Sequence, residues 1–351
     1  MTDVIPMVVG VCRVATPGDR RVALVPGAVD RVHALGLGVL VESGAGEGLR
    51  VPDRAYRAVG AAVGARAEVL EADIVVGLRP PALPAGTRFR RGQVLVALVD
   101  PLSIPFQVRR WADEELTVIG LDPVAKGPEP ASAVDAAASM ERLAGYKAAL
   151  LAADHLDRPV PGDGSPGFPR EAARALVLGR GPAARQAAQT LRDCGAEVHA
   201  DAGRADGGAP GPEGMDIVIA AVRARLREQP PILVTSQALA GMRPGSVVVD
   251  LAAGPDGGTV PGVRRDAVMT TGSGVIVIGA ERLAEHLPRA ASEAFSRHVV
   301  ALLEHIVSDG VLWIDPRGPV LAAVLLTHGG LVRQRDVWRS ITDQTAVAGL
   351  P

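Results

Sequence analysis

Short apolar runs alternate along the chain with stretches whose apolar residues recur at helical spacing, the pattern of parallel α/β units. Residues 7–11 (MVVGV) read as a first strand, and a turn through Thr16, Pro17 and Gly18 leads past Arg20 and Arg21 to a helix face at Val29, Val32 and Leu35. Residues 39–41 form a second strand that closes on the glycine-rich turn SGAGEG at 43–48, and 56–63 read as a helix. Strands are predicted at 74–76, 94–99 and 118–121. From 132 to 156 the residues Val134, Ala138, Leu143, Tyr146, Leu150 and Ala153 mark one long alanine-rich helix, followed by a Pro/Gly-rich linker at 158–169. Residues 175–178 open a second series of strands, continued at 197–200, 216–222, 246–251 and 275–278. A long helix at 291–307 carries Ala294, Phe295, Val299, Leu302, Leu303 and Ile306 on one face. A last apolar strand is predicted at 320–326, ending at Thr327, His328 and Gly329. No internal repeat is present.

Composition narrows the function. At 351 residues with 48% hydrophobic content, the chain is long enough for about two domains of ~150 residues, each with its own core. Thirty-seven basic against 39 acidic residues leave a net charge of -2, without the positive excess that binds nucleic acid through phosphates. Cys12 and Cys194 make neither a disulfide framework nor a four-thiolate metal site. No apolar stretch approaches the ~18 residues of a membrane span, and Asp3 and Pro6 stand where a signal peptide would carry positive charge. The expectation is a cytoplasmic α/β protein. Lysine occurs only at Lys126 and Lys147, and asparagine is absent.

The sharpest local signal is ALVLGRGPAA at 175–184, a buried strand running into G-x-G-x-x-A and then a helix. Such a turn lets backbone approach a pyrophosphate, while the helix N-terminus supplies N–H donors and the positive end of its dipole. Gly179, Arg180, Gly181, Pro182 and Ala184 are the cradle candidates, and Pro182 suits the first helical turn. Asp201 closes the next strand twenty positions after Gly181, where a carboxylate grips a ribose hydroxyl. The bland alternative is a tight strand-to-helix turn without a nucleotide. Between Ala202 and Gly214 lie five glycines and two prolines with no apolar periodicity, so no crossover helix is expected there, and the cofactor site is either trimmed or lost.

Longer motifs point further. The N-terminal VGVCRVATPGDRRVALVPGAV, VLVESGAGEGL with Asp53, Tyr56 and Gly60-Ala61, the Ala72-Asp73-Ile74 strand leading to Pro81, the helix segment Ala144-Gly145-Tyr146-Lys147-Ala148, and MRPGSVVVDLA at 242–252 occur in that order. Together they resemble the alanine dehydrogenase / pyridine nucleotide transhydrogenase family along nearly the whole chain. The resemblance implies an α/β protein of two Rossmann-like domains, the C-terminal one a doubly wound parallel sheet inserted in the N-terminal one. The implied boundaries are 1–134 plus 291–351 for the substrate-side domain and 135–290 for the NAD-binding domain, with hydride transfer at the inter-domain cleft. It implies NAD(H) as cofactor with NADP(H) as the alternative, a homodimer, and, for a transhydrogenase, a membrane subunit as partner.

The branch is read from single residues. Where the amino-acid dehydrogenases of the family carry a Lys, this chain has Arg79, and 94–100 contains no His. A guanidinium clamps a carboxylate but does not readily give up a proton. ALVDPL looks more like the transhydrogenase form, so the chain is closest to the soluble NAD(H)-binding part of the transhydrogenase alpha subunit. It is a divergent member: of the family's nicotinamide-side Arg, Gln and Asp, Asp135 matches the Asp, Ser132 sits where the Gln belongs, and Lys126 or Gly127 falls near the Arg. By resemblance Arg21, Arg79, Asp135 and Asp256 are the catalytic candidates, and Ala220 and Ala221 join the cofactor candidates. Lys147 is read as structural. The seven histidines and two cysteines make no cluster with metal-ligand spacing. Two rivals remain, an amino- or imino-acid dehydrogenase with an altered site and a non-catalytic nucleotide-binding relic.

Overall fold

The computed structural model describes residues 6–123, 129–201, 211–222, 230–255 and 257–348. The chain divides into two compact units, Met1–Ser139 with Pro288–Pro351, and Met140–Leu287. Unit 1 begins with β1 (Val8–Val11), α1 (Val29–His33), β2 (Gly38–Glu42), α2 (Asp53–Ala58), β3 (Ala62–Gly64), α3 (Arg66–Leu70) and β4 (Ile74–Val76). It continues with β5 (Val94–Ala97), α4 (Pro105–Asp113) and β6 (Thr117–Gly120), before α5 (Ala136–His155). Unit 2 follows with β7 (Arg174–Leu178), α6 (Pro182–Asp193), β8 (Glu197–Asp201), β9 (Ile217–Ala220), α7 (Ser236–Gly241), β10 (Val247–Asp250), β11 (Val268–Thr270) and β12 (Ile276–Gly279). The chain returns to unit 1 through α8 (Pro288–Ile306), the hairpin β13 (Val307–Ser308) and β14 (Val311–Leu312), α9 (Pro319–Val324), β15 (Leu325–His328), β16 (Leu331–Val332) and α10 (Arg335–Ala348).

Unit 1 is built on an eight-stranded sheet ordered β16-β15-β6-β5-β4-β1-β2-β3. From β3 to β6 every pair is parallel, and the returning β15 adds antiparallel to β6. Unit 2 carries a six-stranded sheet ordered β11-β12-β10-β9-β7-β8, parallel except for the edge strand β11. The strands read as unbroken apolar runs because helices cover both faces: all four residues of β5, β9 and β10 are buried. Asp250, at the end of β10, is the polar exception.

Three expected elements differ. The helix at 56–63 is α2 followed by β3, because Ala62, Val63 and Gly64 pair with Leu40, Val41 and Glu42 on the open side of β2. The strand at 320–326 is largely α9: Pro319 takes the first helical position, and the chain turns extended only at Leu325. The helix expected from 132 starts later, since 129–134 form a 3-10 turn and α5 opens at Ala136. The stretch 202–210, where no crossover helix is expected, lies outside the described residues.

Candidate functional site

In unit 2, β7 and β9 are neighbours, yet β8 follows β7 on one side and β10 follows β9 on the other. Ligands of doubly wound sheets bind outside the carboxyl ends of strands at such a reversal. The turn after β7 is shaped for it. Gly179 has φ +130°, and a Cβ there would stand 2.5 Å from the Ala221 carbonyl oxygen and 3.0 Å from its carbon. The backbone thus crosses the end of β9 with no room for a side chain, while the Ala221 N–H donates to the Leu178 carbonyl at 2.8 Å. Gly181 is the N-cap of α6, extended and without a side-chain cap, and Pro182 is the first helical residue. The N–H groups of Ala183 and Ala184 therefore open the helix without an acceptor inside it. No acidic residue lies in the first turn. A Cβ on Gly181 would meet only a carboxylate oxygen of Glu141, at 3.4 Å. This is a strand-turn-helix cradle open in front and closed behind.

The other cofactor candidates surround it. Ala184 packs under the turn and Ala220, last in β9, is fully buried. Arg180 is exposed, and its carbonyl accepts from the Arg185 guanidinium at 2.7 Å. Asp201 ends β8 in register with Leu178, at the same sheet edge as the turn; its carboxylate lies outside the described atoms, as does the whole of Asp256.

One contact that sequence reasoning passed over holds the cradle's geometry. Gly145, buried in α5, sits so close to the first turn of α6 that a Cβ would lie 2.1 Å from the Ala183 carbonyl oxygen. A glycine inside a twenty-residue helix costs about 1 kcal/mol against alanine, so its presence in AGYK was the available signal.

In unit 1 the reversal lies between β1 and β4, and the segments after these strands carry Arg21 and Arg79. Arg21 is 5% exposed. Its Nε and Nη2 donate to the two carboxylate oxygens of Asp19 at 2.9 and 2.7 Å, a forked pair. Burial pushes the Asp19 carboxyl up, but the hydrogen bonds and charge of Arg21, with a further contribution from Arg79, outweigh it and leave the group below its ordinary value. Asp19 is thus the group around which both arginines act; the spacing D-R-R was its only sequence signal. Arg79 is exposed and lines a pocket of about 630 Å³ with the proline-rich segment 80–84, Asp100 and Trp111. Arg21 lines a separate pocket of about 450 Å³ with Arg13, Arg20 and the glycine turn after β2. The sign of the Asp19 shift sets a pH dependence: its stabilisation is complete above the ordinary carboxylate range and is lost as pH falls through it. Acid titration of the denaturation midpoint should therefore fall less steeply for Asp19→Asn than for the parent; equal slopes would remove Asp19 as a source of acid sensitivity.

Asp135 has a structural task as well, since its carboxylate accepts from the Ala138 N–H at 2.9 Å and caps α5. Lys147 lies half-buried on α5. His298 is fixed between the Ala133 carbonyl and the Ser139 hydroxyl at 2.7 and 2.8 Å. Among the described residues no group of three or more His, Cys, Asp or Glu side chains gathers to hold a metal ion. No described helix is long and apolar enough to cross a membrane. Asp250, also passed over by sequence reasoning, anchors the segment that follows β10: its carboxylate accepts from the N–H groups of Ala252, Thr259 and Val260 at 2.9, 2.6 and 3.2 Å. Burial raises its pKa, against the lowering effect of those hydrogen bonds.

Comparison with known proteins agrees with this architecture. The family model described as alanine dehydrogenase/PNT, N-terminal domain, matches residues 10–144, and that of the C-terminal domain matches 212–335. A solved transhydrogenase from Sinorhizobium meliloti superposes with a TM-score of 0.77 and 31% identity, covering 94% of this chain and 99% of that one. The chain belongs to the alanine dehydrogenase/PNT family. The glycine turn lies between the two matched regions of this member. Its relatives include the NAD(P) transhydrogenase subunit alpha of Haemophilus influenzae, 27% identical over 92% of this chain and 71% of that protein. They also include the alanine dehydrogenase of Bacillus subtilis, 27% identical over 98% of this chain and the whole of that enzyme. An L-alanine dehydrogenase structure, at 21% identity and a TM-score of 0.75 over 96% of this chain and 99% of that one, shares the fold.

Proposed function

We propose that this family member is an NAD(H)-binding oxidoreductase of the transhydrogenase alpha-subunit type, with the dinucleotide on unit 2 and the groups that work beside its nicotinamide drawn largely from unit 1. The observation that carries the reading is the cradle after β7. Gly179 is barred from any side chain by Ala221, Gly181 faces open space, and α6 begins with unsatisfied N–H groups. These residues suit a pyrophosphate bridge: small backbone-only contacts, a positive dipole end, and no acidic first turn to oppose the charge. Asp201, at the end of the neighbouring strand, would accept from the adenosine ribose hydroxyls, and Ala220 and Ala221 keep the wall beside it small. The bound dinucleotide supplies the hydride chemistry. The chain's own residues bind and orient: Arg21, fixed by Asp19, offers a guanidinium that does not swing, Arg79 adds exposed positive charge, and Asp135 and Asp256 are the acidic candidates.

Among the family's activities, the transhydrogenase type is favoured because nothing at 79 or 94–100 is suited to proton transfer at neutral pH. Arg79 holds its proton, and no histidine follows β5. Transhydrogenation moves a hydride between two nucleotides and needs no such base. This reading brings with it a membrane subunit as partner, an NADP(H) nucleotide on that partner's side, a cytoplasmic location and a homodimer. The amino- or imino-acid dehydrogenase reading is supported by the two arginines near Asp19, which would suit a substrate carboxylate. Turnover of NAD with a panel of amino acids and no partner protein would select it. The relic reading is selected by absence of nucleotide binding.

Asp201→Ala should weaken NADH binding roughly tenfold, the effect of about 1.4 kcal/mol of lost charge-assisted hydrogen bonding, and weaken NADPH less, since a 2′-phosphate cannot use the carboxylate. Fluorescence titration of both nucleotides checks this; equal losses would detach Asp201 from the ribose.

A further inference from the structure

Glu141 occupies a position that the proposed chemistry does not use. It lies one helical turn before Gly145 on α5, and residues four apart share a face of a helix. Gly145 is pressed against the Ala183 carbonyl, so this face of α5 is fixed on the first turn of α6. The same geometry carries the Glu141 side chain to the mouth of the glycine turn, where its Oε2 lies 3.4 Å from the Cβ position of Gly181. It is the only heavy atom within 4 Å of that position apart from the glycine's chain neighbours and the helix's own backbone. Meanwhile α6 starts with neither a side-chain cap nor an acid in its first turn. A carboxylate arriving from another helix supplies the anion that this helix start favours.

We propose that Glu141 is a built-in counter-anion of the cradle, an affinity-determining residue that stands at the place of the dinucleotide bridge and must give way when the bridge binds. The proposal rests on the dinucleotide reading of the cradle and adds to it a cost written into this chain. Two unit charges about 5 Å apart disfavour one another by a factor of about four in an equilibrium constant even at the dielectric of water, and by more at a protein surface. The cradle is thereby tuned to release its dinucleotide and to discriminate against ligands with more negative charge at the bridge.

The test is titration of the full-length protein with NADH, ADP-ribose and adenosine for the parent, Glu141→Gln and Glu141→Ala, with circular dichroism to confirm folding. Both variants should bind NADH and ADP-ribose at least fivefold more tightly, while adenosine, which has no bridge, binds unchanged. Parent and variants binding NADH equally, or variants binding it more weakly, would overturn the role of Glu141 and leave the cradle assignment standing. A uniform gain for all three ligands would also overturn it, as a general loosening of the site. Absence of binding by all three proteins would overturn the dinucleotide reading itself, and this role with it.

Discussion

Gly145→Ala should destabilise the protein by about 3 kcal/mol, the upper range for forcing a methyl group into a closed contact. The added carbon would stand 2.1 Å from the Ala183 carbonyl oxygen, 2.8 Å from its carbon and 2.9 Å from its Cα. All three are backbone atoms of the first turn of α6, so no side-chain rotation relieves the overlap. Helix propensity alone predicts the opposite sign, since alanine is favoured over glycine inside a helix by about 1 kcal/mol. The substitution therefore separates the two effects cleanly. Urea denaturation should give a lower midpoint, and nucleotide binding should weaken with it because α6 must move away from α5. A midpoint at or above that of the parent would show that the two helices are not locked through this contact.

Gly181→Val makes the contrasting prediction. Nothing but the flexible end of Glu141 approaches the Cβ position of Gly181, and the residue is extended with φ -72°, which valine adopts readily. Folding stability should stay within about 0.5 kcal/mol of the parent, as for surface substitutions generally. NADH affinity should fall at least a hundredfold, about 2.7 kcal/mol, because the isopropyl group takes the space in which a pyrophosphate would lie against the backbone. An unchanged affinity in a folded variant would remove Gly181 from the site. Together the two glycines make opposite predictions about stability within one short turn, and both follow from measured clearances.

Much of this architecture was legible in the sequence because parallel strands buried on both faces leave uninterrupted apolar runs. IVIA at 217–220 and VVVD at 247–250 are such runs, and no other element of this chain imitates them at that length. The same signal misled at 320–326. There Val320, Leu321 and Val324 are the buried face of a helix, and a short continuous apolar run carries no period that distinguishes helix from strand. The family motifs supplied the two-domain organisation and pointed to Arg21, Arg79 and the glycine turn. They did not supply the partnerships. That Asp19 fills the fork of Arg21, and that Gly145 brings Glu141 over Gly181, are products of packing between segments up to about 40 residues apart. Asp135 was legible as an acid beside AGYK, but its capping of α5 depends on where the helix starts, a boundary that apolar periodicity leaves loose.

The central claim, that the bend between β7 and α6 receives a dinucleotide bridge, is tested most directly by titrating the parent protein with NADH, following its fluorescence, and then displacing it with ADP-ribose. The account predicts saturable binding, reversed by ADP-ribose, which carries the bridge and both riboses but no nicotinamide. Failure to bind at millimolar NADH, or binding that ADP-ribose does not displace, would contradict it.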